Sequence, residues 1–145
     1  VIIKIAHRGN TQGRNPEREN DPIYIKEALA TGYDSEIDVW YINSRFYLGH
    51  DEPIHEVDIE FLKTPGLWCH AKSREALERM IKNDVHCFWH QTDDFTLTSK
   101  GYIWTYPEKS VGKRSVIVCH SAEETQAAAL KGLAGICGDY VGLLK

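Results

Sequence analysis

Five of the seven histidines in this 145-residue chain close a short apolar run: His7, His50, His70, His90 and His120. Imidazole is the side chain that takes and gives protons near neutral pH. Five in the same relative place imply a shared rim rather than scattered surface positions. Glu36-Ile37-Asp38 adds a second signal. Residues two apart on a strand share a face, so both carboxylates point inward while Ile37 packs outward. Two buried anions that close need a cation. A divalent metal with oxygen ligands supplies it, and Arg8, Lys72 or Lys4 is the alternative. His7-Arg8-Gly9 sets an imidazole beside a guanidinium, the group that grips a phosphate with two hydrogen bonds. Gly9 lets the chain turn and a ligand approach. His50-Asp51 adds a second imidazole with a carboxylate beside it. Together these residues suit acid–base cleavage of a phosphodiester on a metal.

Short apolar runs must position them. These are Ile2 to Ala6, Ile37 to Ile42, Phe46 to Leu48, Leu67 to Cys69, Cys87 to Trp89, Tyr102 to Trp104, Val116 to Cys119 and Ala134 to Cys137. They are too short for helices, and several are near-continuous, as strands buried on both faces are. Three helices are marked. One starts at Asp21-Pro22, carries Ile25, Ala28 and Leu29, and stops at Gly32. A second follows Ser73 with Leu77, Met80 and Ile81 at helical spacing. A third opens on the capping box Ser121/Glu124 and ends near Gly132. Asn43-Ser44-Arg45 reads as a tight hairpin. Strands alternating with helices imply a mostly parallel sheet, and eight runs suggest closure. A full (β/α)8 barrel takes about 250 residues. The expectation for 1–145 is therefore one α/β domain: a compact, reduced TIM-type (β/α) barrel with several helices replaced by loops. An open doubly wound sheet is the alternative. Parallel strands would gather the histidines at one mouth, provided the strand before His50 runs in the same sense.

Composition narrows the classes. Lys and Arg number 17 against 21 Asp and Glu, a net charge of −4 that suits no nucleic-acid backbone. No apolar run approaches the roughly 18 residues of a membrane span. Val1 to Ala6 is short for a signal core and reads as a buried strand. Cys69, Cys87, Cys119 and Cys137 form no C-x-x-C pair and each sits in an apolar stretch. Buried free thiols in a reducing cytosol follow, hence a cytoplasmic location, with a disulfide as the alternative. Trp68 and Trp89 lie within apolar runs and read as core; Trp40 and Trp104 can face either way. The polar segment His90 to Asp94 lines the mouth in this reading, without a role. His55 and His86 receive none.

Four motifs in order carry a family resemblance: His7-Arg8-Gly9, then Pro16 with Glu19-Asn20, then Glu36-x-Asp38, then His50-Asp51. They resemble the glycerophosphodiester phosphodiesterase family of the phosphatidylinositol-phospholipase-C-like phosphodiesterase superfamily, whose members are TIM barrels. Gly135 to Tyr140 resembles its closing strand. The resemblance implies that His7 and His50 are the acid–base pair and that Arg8 holds the phosphate. It implies Glu36 and Asp38 as ligands of a divalent metal, Mg2+ or Ca2+ first. The family's E-x-K appears here as His70-Ala71-Lys72, so Lys72 touches phosphate while His70 replaces a carboxylate. A neutral imidazole suits Mn2+ or Zn2+ better, and Glu19 or Asp51 is a further candidate ligand. The implied substrate is a small phosphodiester. A module that binds phosphate or a phospholipid head group without cleaving it, a zinc hydrolase of another barrel type, and a lyase that stops at a cyclic phosphate are the alternatives. The chain would be a minimal branch of the superfamily.

Overall fold

A computed structural model describes residues 1–144. In chain order the elements are β1 (Ile3–His7), α1 (Pro22–Ala30), β2 (Asp34–Ile42), β3 (Arg45–Leu48), β4 (His55–Val57), α2 (Ile59–Leu62), β5 (Leu67–Ala71), α3 (Arg74–Lys82), β6 (Cys87–Phe88), β7 (Phe95–Leu97), β8 (Ile103–Thr105), β9 (Ser115–Cys119), α4 (Ala122–Ala128) and β10 (Gly135–Gly138). Local chemistry sets the helix starts. Asp21 accepts a hydrogen bond from Ile23 N ahead of Pro22, Ser73 from Ala76 N, and Ser121 from Glu124 N. Each satisfies an orphan donor of the first turn.

Parallel ladders run in the spatial order β6, β5, β2, β1, β10, β9, β8. The far half of β2 also carries an antiparallel ribbon of β3 and β4, and β7 lies antiparallel to β8. The result is a mixed ten-stranded sheet, curled into a half-barrel. This corrects the expected reduced TIM-type (β/α) barrel. Among the described residues no ladder joins β6 to β7 or β8, so the ring stays open. Among the described residues the α-helices number four, and the longest have nine residues. A TIM barrel needs every strand paired on both edges and an outer ring of helices. Here β6 has two residues and β8 three, too short to close the ring.

Alternation along the parallel strands splits the core into two layers. Outward residues such as Ile37, Val39, Cys69, Ala71 and Cys87 pack against Ile25, Ala76 and Met80 of the helices. A second outer cluster joins Ala6, Ile117 and Ile136 to Ala28 and Ala128. Inward residues Ile5, Trp68, Phe88, Trp104, Val116 and Cys137 fill the concave face. The four cysteines are buried and unpaired. Trp68 and Trp104 are core, whereas Trp89, expected there, is 39% exposed. It lies just past the end of β6, beside Arg74 and Leu77 of α3.

Candidate cation and acid–base site

Two residues beyond Ile5 on the inward face stands His7, and two beyond Trp68 stands His70, so the apolar layer is capped by a polar one. Strand register builds it. His7 is the ladder partner of Glu36 across β1 and β2, and Asp38 that of His70 across β2 and β5. Glu36, Asp38 and His70 each offer a ligand atom within 4.8 Å of one another. Both carboxylates are buried, at 4% and 1% exposure.

The donor set fits a divalent cation on three observations. Glu36 Oε1 is buried and has no hydrogen-bond partner. Burial, then the Asp38 charge, pushes the Glu36 carboxyl up to about 7. Burial works against ionised Asp38 too, but the His70 hydrogen bond and the His70 and Arg8 charges outweigh it and hold its pKa down. Finally, His70 Nε2 lies 2.8 Å from the His90 carbonyl oxygen. A carbonyl only accepts, so Nε2–H donates. Without a metal Nδ1–H donates to Asp38 as well. Burial pulls the His70 pKa down, but the Asp38 hydrogen bond and the Glu36 and Asp38 charges outweigh it and raise it, so Nδ1 offers a lone pair only when that proton leaves. That atom faces Asp38 Oδ1 at 3.1 Å and Glu36 Oε2 at 3.9 Å. A backbone carbonyl that fixes the imidazole tautomer is a common support for metal-ligating histidine. The cluster can hold a metal ion.

The flanking groups are held as firmly. His7 Nδ1 donates to Asp139 Oδ1 at 2.9 Å, turning Nε2 toward Glu36 Oε1, 3.9 Å away. Burial pulls the His7 imidazolium down, but the Asp139 hydrogen bond and the Glu36 charge outweigh it, so its pKa is raised. Asp139 is pinned by Asn10 Nδ2 at 2.9 Å. Arg8 has a left-handed backbone, φ 57°, which costs a non-glycine residue about 1–2 kcal/mol. It is locked by Arg8 N donating to the Glu36 carbonyl at 3.0 Å and Asn20 N to the Arg8 carbonyl at 3.1 Å. Its guanidinium donates to Glu19 at 3.2 Å, and its Nε lies 3.5 Å from Asp38 Oδ2 without hydrogen-bond geometry. Next comes Gly9, φ 95°, where a Cβ would meet the Tyr24 ring at 2.6 Å. Asn20 clamps Asp38 twice, donating to Oδ2 and accepting from the backbone N, both at 2.9 Å.

His50 arrives by a route other than the expected one. The strand before it, β3, runs antiparallel to β2. Asn43 and Ser44, with φ of 52° and 65°, make the tight turn. The returning strand descends to the level of Asp38, where Gly49 N donates to the Asp38 carbonyl at 3.2 Å. Trp40 Nε1 donates to the Gly49 carbonyl at 2.6 Å and fixes the corner. A Cβ on Gly49 would overlap the Glu52 carbonyl. His50 is exposed at the mouth, its Nδ1 2.7 Å from Asp51 Oδ1.

All seven residues nominated from the sequence line one cavity of about 370 Å³: His7, Arg8, Glu36, Asp38, His50, His70 and Lys72. Lys72 Nζ stands 6.0 Å from the centre of the Trp40 ring. Glu19 and Asp51 lie outside the cation cluster; they hold Arg8 and His50 instead. Asp139, Asn10 and Asn20 carry positioning roles that spacing did not assign. Asn20 adjoined a motif and Asp139 closed the last strand, so both were visible as positions but not as partners. Thiol chemistry is disfavoured, since burial pushes Cys119 up to about 11 and Cys69 and Cys137 well up.

Fold and site together define a half-barrel with a buried Glu–Asp–His cation cluster between two carboxylate-paired imidazoles. Comparison of the chain with family models, curated proteins and solved structures gives no match. No helix among the described residues is long and apolar enough to cross a membrane.

Proposed function

We propose that the chain is a metal-dependent phosphodiesterase acting on a small diester of the glycerophosphodiester type. The observation that supports this reading is the convergence of seven residues from four separate segments on one cavity, with anions, imidazoles and cations in complementary places. Glu36, Asp38 and His70 would hold the metal, and the imidazole favours Mn2+ or Zn2+ over Mg2+ or Ca2+. Bound there, a divalent ion supplies Lewis-acid stabilisation of negative charge on phosphoryl oxygen. Arg8 and Lys72 orient the phosphate and neutralise its remaining charge. His7, protonated on Nδ1 by its bond to Asp139, presents Nε2 to the cavity as the atom that gains or gives the proton. His50 does the same from the mouth, its Nδ1 committed to Asp51. One imidazole removes the nucleophile's proton and the other protonates the leaving alkoxide, each supplying roughly 10²–10⁴ in rate.

The test is turnover of bis(p-nitrophenyl) phosphate and of small glycerophosphodiesters by purified protein, supplied in turn with Mn2+, Zn2+, Mg2+ and Ca2+. Phosphorus NMR of the product separates hydrolysis from release of a cyclic phosphate. Absence of cleavage with every ion, while calorimetry shows an ion bound, would leave a binding module in its place.

A further inference from the structure

Two anions compete for the single proton of neutral His7. Asp139 Oδ1 stands 2.9 Å from Nδ1, and Glu36 Oε1 stands 3.9 Å from Nε2. The outcome decides what the cavity meets. With the proton on Nδ1, Nε2 offers a lone pair; with the proton on Nε2, that lone pair is gone and the ring is no base there. In catalytic triads a wrong tautomer costs about 10⁴ in kcat. Asp139 prevails only while its carboxylate stays in place.

A side-chain amide holds it. Asn10 is 0% exposed. Its Nδ2 donates to Asp139 Oδ1 at 2.9 Å and to Glu19 Oε2 at 3.0 Å. The other oxygen of Glu19 accepts from Arg8 Nη1 at 3.2 Å. An ionised carboxylate only accepts, so the amide must turn both N–H groups to this side and its oxygen away. That oxygen meets the Tyr24 hydroxyl, which donates to it at 2.9 Å. Tyr24 belongs to the first turn of α1, and its ring packs on Gly9. The Arg18 guanidinium, paired with Glu27, lies 4.6 Å over the ring centre. The hydroxyl thus comes from a ring that is itself held. Neither Tyr24 nor Asn10 lines the cavity, so both act through Asp139.

We propose that Tyr24 and Asn10 are positioning residues that set the tautomer of His7: the hydroxyl orients the amide, the amide fixes Asp139, and Asp139 keeps the proton on Nδ1. This rests on the reading of His7 as an acid–base group and supplies what keeps its Nε2 free. Long-range proton–nitrogen NMR of the imidazoles reads the tautomer directly, with a chelator present and at a pH that leaves the rings neutral. The His7 signals are assigned by their loss in His7→Ala. The wild-type chain should hold this proton mainly on Nδ1. Tyr24→Phe, which keeps the ring and removes the hydroxyl, should lower the ratio of Nδ1–H to Nε2–H by roughly 2- to 10-fold, the size of one neutral hydrogen bond. Asn10→Leu, close in volume but without a donor, should lower it further; if that variant does not fold, Tyr24→Phe decides alone. In an Asp139→Asn background Tyr24→Phe should change nothing, because the link it acts through is already cut. A proton mainly on Nε2 in the wild type, an unmoved ratio in folded Tyr24→Phe, or an equal shift in the Asp139→Asn background would overturn the proposal. Turnover is not the readout, so the two readings fail separately. The expected tautomer shift without any diester cleavage sinks only the enzyme, and cleavage with an unmoved ratio sinks only the role of Tyr24 and Asn10.

Discussion

Replacing Glu36 by Gln should stabilise the cation-free protein and cost it the cation. Glu36 is 4% exposed, and its Oε1 is unpartnered. Burial, then Asp38, moves its carboxyl from an ordinary 4.5 up to about 7. A displacement of that size is worth roughly 3 kcal/mol. The sign follows from proton uptake. Between 4.5 and about 7 the folded chain still holds a proton that the unfolded chain has released. Stability therefore falls as pH rises through that window and stays lowered above it. Gln carries no charge and escapes the loss. Urea unfolding in the presence of a chelator should show the two proteins nearly equal below about pH 5, and Glu36→Gln ahead by about 2–3 kcal/mol above about pH 8. Saturating Mn2+ or Zn2+ should reverse the order. A ligand at a thousandfold its dissociation constant adds about 4.1 kcal/mol to the wild type, more than its deficit, whereas the variant lacks one of three ligands. Equal stability of the two proteins at high pH, or an equal cation effect on both, would refute the reasoning.

Three further outcomes are expected. His7→Ala and His50→Ala should each lower kcat by roughly 10²–10⁴ while the chain still folds cooperatively, and near-full activity in either removes that residue from the acid–base pair. Asp139→Asn removes the anion that raises the His7 pKa. The limb of the pH–rate profile that reports His7 should move to lower pH while kcat falls on the order of 10²-fold through lost orientation, and an unmoved limb assigns it to another group. Leu48→Ala should cost about 2–5 kcal/mol in urea unfolding because Leu48 is 0% exposed and closes the hairpin that delivers His50. Ile23→Ala, at a 66% exposed position, is the matched control and should change little.

Strands and helix starts were legible because each follows from local pattern. All eight apolar runs became strands, and Asp21, Ser73 and Ser121 cap the three helices read from the sequence. Two strands carried no such signal. His55–Val57 and Phe95–Leu97 have three residues each, mostly half-exposed or exposed, and exist because β3 and β8 offer them an edge. Closure was misread for a related reason. Counting runs says how many strands form, but whether the ring shuts depends on the length of the last partners, and Cys87–Phe88 is too brief to reach across. Trp89, whose apolar neighbours in sequence pointed to the core, is exposed just past the end of β6.

In the site, residue type was legible and partnership was not. Glu36 and Asp38 share a face by the two-residue period, which any E-x-D strand would give. That Asp38 meets His70, and Glu36 meets His7, is a fact of register between strands 30 or more residues apart in one case and 29 in the other. His50 shows the gap most sharply. Its place was inferred from strand ends pointing one way, yet its strand runs the other way. It reaches the rim because a turn of two left-handed residues sends β3 back to the level of Asp38. The carboxylate pair therefore sets more than a cation site. Asp38 accepts from Gly49 through its carbonyl, from Asn20 through its side chain and faces Arg8 and His70. One buried aspartate thus fixes the distance between the Glu36–Asp38–His70 cluster, the Arg8 guanidinium and the exposed His50 imidazole, so a shift of β2 by a single residue would dismantle all three together.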